Sequence, residues 1–317
     1  MNAAPAKGRS PLAVLAPITL LALSCAPTPD DAPGATTTPA TADDVLRTAD
    51  PYTRGYTDDD FSRVQELAPG VYSYEQLRSA GDERFTTVSM FVVTDEGVLV
   101  ADGQGSPEET RRLVETIAGI TDRPITHVIV CSDHGDHTAG NSEFPADARF
   151  YAHPTSQAVL LAAADNPGRP ADAPPVVVPT HLVETRETLQ LGGREIQLLF
   201  MSEAYLNRIF PAMRSAYPSE WVAMIEAAQA LDVTTYVPGH GFVDPPAVLA
   251  EELETYRQAV VQVIAEATRL HAAGLTLEEA VAEADFGALE GWSLHASQAP
   301  TAIGRVYMEL NGELPRP

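Results

Sequence analysis

Positive charge is what this chain most lacks. Lys7 is the only lysine among 317 residues, and 44 acidic side chains against 20 basic ones leave a formal net charge of −24. A surface of that sign repels nucleic-acid phosphates and anionic headgroups, so nucleic acid is not expected as a partner. Cysteine is nearly as scarce, with Cys25 and Cys131 alone. If Cys25 is lipidated, no intramolecular disulfide is left, and the fold must stand on packing and metal. Long apolar runs are missing too. The run from Pro11 to Leu23 is too short to span a bilayer comfortably.

That run does have Lys7 and Arg9 before it and Ser24-Cys25 after it, the layout of a bacterial secretory signal. Ala22-Leu23-Ser24-Cys25 fits a permissive lipobox, in which Cys25 becomes the lipidated first residue of the mature chain. An ordinary cleaved signal is the plainer alternative. Residues 26–52 are rich in Ala, Pro, Thr and Asp and read as a flexible tether. The expected organisation is a signal peptide over 1–25, a disordered tether over 26–52 and one folded domain over 53–317. The protein is expected to be secreted or periplasmic, held to the membrane by a lipid at Cys25.

With 44% apolar residues the domain has enough material for a buried core. Leu67 to Glu75, Thr86 to Val93 and Gly97 to Gly103 pattern as strands. Ser106-Pro107-Glu108-Glu109 supplies an N-cap, a proline at the first helical position and a glutamate at the third, so a helix starts there, with Leu113, Val114 and Ile117 as its buried stripe. Ile125 to Cys131 reads as a buried strand and Ala148 to Ala152 as the next. Pro167 to Pro179 holds five prolines and must be loop. Leu182 to Met201 patterns as a hairpin around Leu191-Gly192-Gly193, with Ile196, Leu198 and Phe200 on its second arm. A helix over Glu220 to Leu231, a strand over Val233 to Val237, a Pro238-Gly239-His240-Gly241 loop and a long amphipathic helix from Pro246 to Ala273 follow.

The chemistry concentrates where the apolar strand Val128-Ile129-Val130 breaks into Cys131-Ser132-Asp133-His134-Gly135-Asp136-His137. Imidazole and carboxylate suit zinc and similar divalent ions, and three such groups within four residues at a strand end are presented together by one turn. Ser132-Asp133-His134 holds the residue types of a hydrolase triad, but neighbours on an extended chain point to opposite faces and cannot form one. Cys131 is expected to pack in the core.

His134, Asp136 and His137 resemble the H-x-H-x-D-H signature of the metallo-β-lactamase superfamily, with Ser132 in place of its first histidine. Asp102-Gly103 at an earlier strand end and Pro-Gly-His far downstream add to the resemblance, which covers about Val64 to Leu310. It implies an α/β fold, the four-layer αβ/βα sandwich, here shortened by one strand pair because Phe200-Met201-Ser202-Glu203 follows the hairpin directly. It also implies metal ligands at His134, Asp136, His137 and His240, with Glu203 where the family has its bridging aspartate. Asp102 would stabilise the ligand loop without binding metal. No histidine lies between His181 and His240, so the family's first metal site keeps His134 alone. One ion per chain is expected, zinc, with iron or manganese as alternatives.

The function implied is hydrolysis of a small ester, lactone, thioester or amide by a metal-activated water, with Asp136 and His134 as catalytic residues. The second reading is a catalytically impaired member of the fold that serves as a periplasmic binding or interaction module. Tyr205, Phe210, Tyr217 and Trp221 with Arg208 and Arg214 are either a buried segment or a substrate wall in which arginine pairs a substrate carboxylate.

Overall fold

Pro69 and Gly70 break the strand expected over 67–75 into two. The structure, a computed structural model, describes residues 44–193 and 198–314. The signal, the lipidation site at Cys25, the tether as far as residue 43 and Ile196 lie outside the described residues. Gly70 takes φ +70°, which lets β1 (Arg63–Ala68) turn back into β2 (Val71–Ala80). A second turn leads to β3 (Glu83–Thr94), then to β4 (Gly97–Ala101), all antiparallel.

The chain then crosses over through α1 (Pro107–Ile120) to β5 (Ile125–Val130), which lies parallel to β4. Ser106 caps α1 as expected, its hydroxyl accepting the Glu109 amide. After the one-turn helix α2 (Gly135–Thr138) come β6 (Arg149–Ala152), α3 (Pro154–Ala164) and β7 (His181–Leu182), with β5, β6 and β7 parallel. The hairpin expected over 182–201 is not formed by the described residues. β7 pairs only with β6, and β8 (Leu198–Leu206) pairs in parallel with β9 (Thr235–His240). The segment after Leu182 is too polar to present a strand face. Helix α4 (Pro218–Gln229) connects β8 to β9, and α5 (Pro246–Ala272), α6 (Leu277–Glu283) and α7 (His295–Leu310) complete the chain.

Alternation along β3 shows how the layers are arranged. Met90 and Val92 join a large core with Tyr205, Val237, Leu253, Val263 and Ile303, while Phe91 lies on the opposite face with Val100, Leu113, Ile117 and Val128. Helix α1 covers that second face, and the β8–β9 pair with α4, α5 and α7 covers the first. The mixed α/β architecture is thus the expected one, with a short second half. β9 joins the main sheet through one partner pair, Thr87 with His240. His240 is therefore in the last position of a strand and not in the loop expected after Val237.

Residues 44–52, the expected end of the tether, pack on the domain. Ala49 is fully buried, and Arg47 pairs with Glu251 and Glu252 at 3.0 and 3.1 Å. Arg54 pairs with Asp244 at 2.6 Å.

Candidate metal centre

Construction of the site begins one strand before the ligands. Asp102, at the end of β4, is fully buried with φ +60°. Its Oδ1 accepts the amides of Cys131 (2.7 Å) and Ser132 (3.3 Å), and its Oδ2 accepts the Ser202 hydroxyl at 2.6 Å. One carboxylate so ties the ligand-bearing loop after β5 to β8, the role the resemblance implies for it. Ser132, which stands where the signature has histidine, accepts the His134 amide at 3.1 Å. Helix α2 then starts at Gly135 and sends Asp136 and His137 into the interior.

Two backbone approaches place His240. A Cβ on Gly239 would lie 2.4 Å from the Ser202 carbonyl carbon, and one on Gly241 would lie 2.2 Å from the Asn207 carbonyl oxygen. Only glycine lets β9 come this close to β8. Ser202 itself takes φ +46°, an irregular step in β8 that puts Glu203 beside His240. The His240 Nδ1 lies 3.0 Å from the Thr86 carbonyl oxygen. A carbonyl can only accept, so Nδ1 carries the hydrogen and the Nε2 lone pair is left facing the centre.

Asp136, His137, Glu203 and His240 bring their donor atoms within 4.8 Å of one another. His240 Nε2 is 3.2 Å from His137 Nε2, 3.2 Å from Asp136 Oδ2 and 3.0 Å from Glu203 Oε1, and His137 Nε2 is 3.3 Å from Glu203 Oε1. These are four of the six separations among the donors, and the other two are no more than 4.8 Å. Ligand atoms about 2.0–2.1 Å from a four-coordinate zinc stand roughly 3.3 Å apart. The donor set of two imidazoles and two carboxylates therefore fits a small divalent ion in size and in chemistry.

The electrostatics point the same way. Burial works against the charged form of each group, yet the Glu203 and Asp136 carboxylates overcome it at His240 and hold its imidazole up at about 9. His137 is likewise held well above the ordinary imidazole range, against burial, by Asp102 and Glu203. Asp136 and Glu203 are pulled well below theirs by the histidines. The two carboxylates thus demand compensating positive charge, whether proton or metal. His137 Nδ1 lies 3.1 Å from Asp102 Oδ2, near enough for charge pairing but off the line of a hydrogen bond.

His134, expected among the ligands, is not one of the four. It precedes α2 with extended backbone (φ −64°, ψ 146°) and stands on the far side of the four-donor set, against Glu203. Its Nδ1 is 2.9 Å from Glu203 Oε1 and its Nε2 is 3.2 Å from the Ser215 hydroxyl. His134 and Glu203 form the inner wall of an open cleft of about 450 Å³. Cys131 is exposed and lines this cleft, contrary to the core position expected for it, because β5 ends at Val130 and the loop turns outward.

The aromatic segment divides. Tyr205 and Phe210 are fully buried, whereas Tyr217 and Trp221 line the cleft. Arg208 does not reach the cleft, since its guanidinium is bound at two points by Glu252 and lies over the Trp292 ring. Sequence reasoning missed Ser202, Ser215 and the Thr86 carbonyl. None carries a local signal, because each acts through a partner distant in sequence.

No protein-family model matches the chain. A lactamase-like protein, notP, from Aspergillus sp. (strain MF297-2) is 28% identical over 248 residues, 69% of this chain and 74% of that protein. A metallo-β-lactamase from Pontibacter korlensis superposes with a TM-score of 0.52 at 16% identity, over 62% of this chain and 98% of that one. An inverting sec-alkylsulfatase, Pisa1, from Pseudomonas sp. superposes with a TM-score of 0.56 at 16% identity, over 78% of this chain and 50% of that one. The fold is therefore that of the metallo-β-lactamases.

Proposed function

We propose that this metallo-β-lactamase-fold protein is a zinc-dependent hydrolase of a small ester, lactone, thioester or amide. One observation carries the reading: four donors from α2, β8 and β9 lie within 4.8 Å of one another, and one of them, Glu203, lines an open cleft. Asp136, His137, His240 and Glu203 would hold the ion. When bound, it supplies Lewis-acid polarisation of a carbonyl oxygen and lowers the pKa of water to about 7. His134, outside the four and within 2.9 Å of Glu203, faces the cleft and is placed to take a proton from an attacking water and return it to the leaving group. Asp102 holds the loop that carries His134, Asp136 and His137.

A specific feature favours the second reading, a binding or interaction module. Glu203 occupies the fourth vertex, and four protein ligands describe a closed structural site, while catalytic sites keep one position open. Under the hydrolase reading Glu203 must yield that position to substrate or water. Its side chain lines the cleft and is 21% exposed, against 25% for Asp136, 0% for His137 and 7% for His240.

Elemental mass spectrometry on chain purified without chelator tests the centre, beside a doubly substituted Asp136→Ala/His240→Ala control. About one zinc per chain, lost in the control, together with turnover in an ester, lactone, thioester and amide panel, is the expected result. Zinc without turnover would favour the module, and no metal would overturn both the cofactor and the hydrolase. We also propose export with a lipid at Cys25, checked by fatty-acid labelling that a Cys25→Ser variant loses.

A further inference from the structure

The charge of the cleft carries a further step, which rests on the hydrolase reading and concerns the substrate's own charge. The two carboxylates of the centre, Asp136 and Glu203, would be balanced by one divalent ion held there. What sets the sign of the cleft is then the rest of its wall. Asp133 and Glu220 line it, and among the described lining residues there is neither an arginine nor a lysine. Of the nearby arginines, Arg208 is bound by Glu252, Arg305 donates to the Ala216 carbonyl at 2.6 Å and lies over the Tyr217 ring, and Arg214 is exposed; none of the three is part of the lining. An anionic substrate arm would enter with no cation to receive it and two carboxylates to repel it.

Helix α4, which carries Glu220, also brings aromatic and apolar side chains to the cleft. Trp221 is pinned by its indole N–H to the Ala204 carbonyl at 2.9 Å, and it stands with Tyr217 and Met224 along the cleft. A fixed ring face beside uncompensated carboxylates suits an alkylammonium group, which gains from both. We infer that the cleft admits substrates with an apolar body and a neutral or ammonium-bearing arm, and turns away carboxylated and sulfated ones. Asp133 and Glu220 are the residues that set this preference, and neither belongs to the four-donor centre.

The test uses the zinc-loaded full chain and two readouts. The first is binding of (3-phenylpropyl)trimethylammonium, 3-phenylpropanol and 3-phenylpropanesulfonate, followed by tryptophan fluorescence. The second is hydrolysis of nitrophenyl butanoates with a terminal trimethylammonium, methyl or sulfonate group. The expected order is ammonium, then neutral, then sulfonate, with about tenfold between the extremes, and a gap that closes by severalfold in the Asp133→Asn/Glu220→Gln variant. Equal or preferred binding of the sulfonate, binding of none of the probes, or an unchanged gap in the variant overturns the inference. Binding in the expected order without hydrolysis of any ester would uphold the charge preference and remove the hydrolase reading, so the two fail separately.

Discussion

His240 makes three kinds of contact with one ring. Its Nδ1 hydrogen is given to the Thr86 carbonyl, its Nε2 faces Asp136, His137 and Glu203, and its ring edge packs on Phe85 at 5.5 Å between centroids. Without metal the ring holds a second proton up to about pH 9 because two carboxylates outweigh its burial. The ordinary value is near 6.5, so the folded-state pKa is raised. The stabilisation from this proton is complete below about pH 6.5 and is lost as pH rises through 9, on the order of 3 kcal/mol. Chelated protein is therefore expected to lose stability to urea between pH 6.5 and 9.5, with His137 adding in the same sense. Zinc-loaded protein should show little of that slope. A flat profile for the chelated protein would remove the electrostatic account of the centre.

At the level of elements, the β8–β9 pair depends on a missing side chain. Gly239→Ala would drive a methyl group into the Ser202 backbone, where neither strand can retreat without breaking Asp102's bond to Ser202. A loss of about 2–4 kcal/mol in stability and of metal binding is expected. Gly119→Ala in α1, where nothing lies within 4 Å of the new methyl, should instead stabilise by about 0.5–1 kcal/mol. Equilibrium unfolding of the two variants reads the contrast. The same pair shows what a sequence can and cannot reveal. Asp136 and His137 share one turn, so short spacing exposed them, while His240 in its Pro-Gly-His-Gly string was reached by the resemblance. Glu203 came only through the resemblance, and the role of Ser202 came not at all, because an irregular step in a strand has no residue pattern of its own. The break at Pro69-Gly70 was written in the residues but masked by apolar neighbours on both sides.

On the scale of the whole molecule, the chain closes on itself through ion pairs between distant positions. Arg54 and Asp244 are nearly buried, at 9% and 8% exposure, and Asn207 shares the Asp244 carboxylate. Arg54→Ala leaves that carboxylate buried without its cation, and a loss of about 3–5 kcal/mol is expected in chemical denaturation. These pairs explain why residues 44–52 read as tether: Ala49 is small and Arg47 is polar, and their partners on and beside α5 are some two hundred positions away. The metal centre has a similar reach. His137 and His240 are 103 residues apart in sequence and touch only there. An ion held by both would act as a removable cross-link, where no disulfide closes a loop among the described residues. Tying off a loop of about 100 residues restricts the unfolded chain by roughly 4–5 kcal/mol in the chain-entropy model. Stripping the ion should then lower the unfolding temperature by on the order of 10 °C. The same four side chains would in that case set how long the protein survives where metal is scarce.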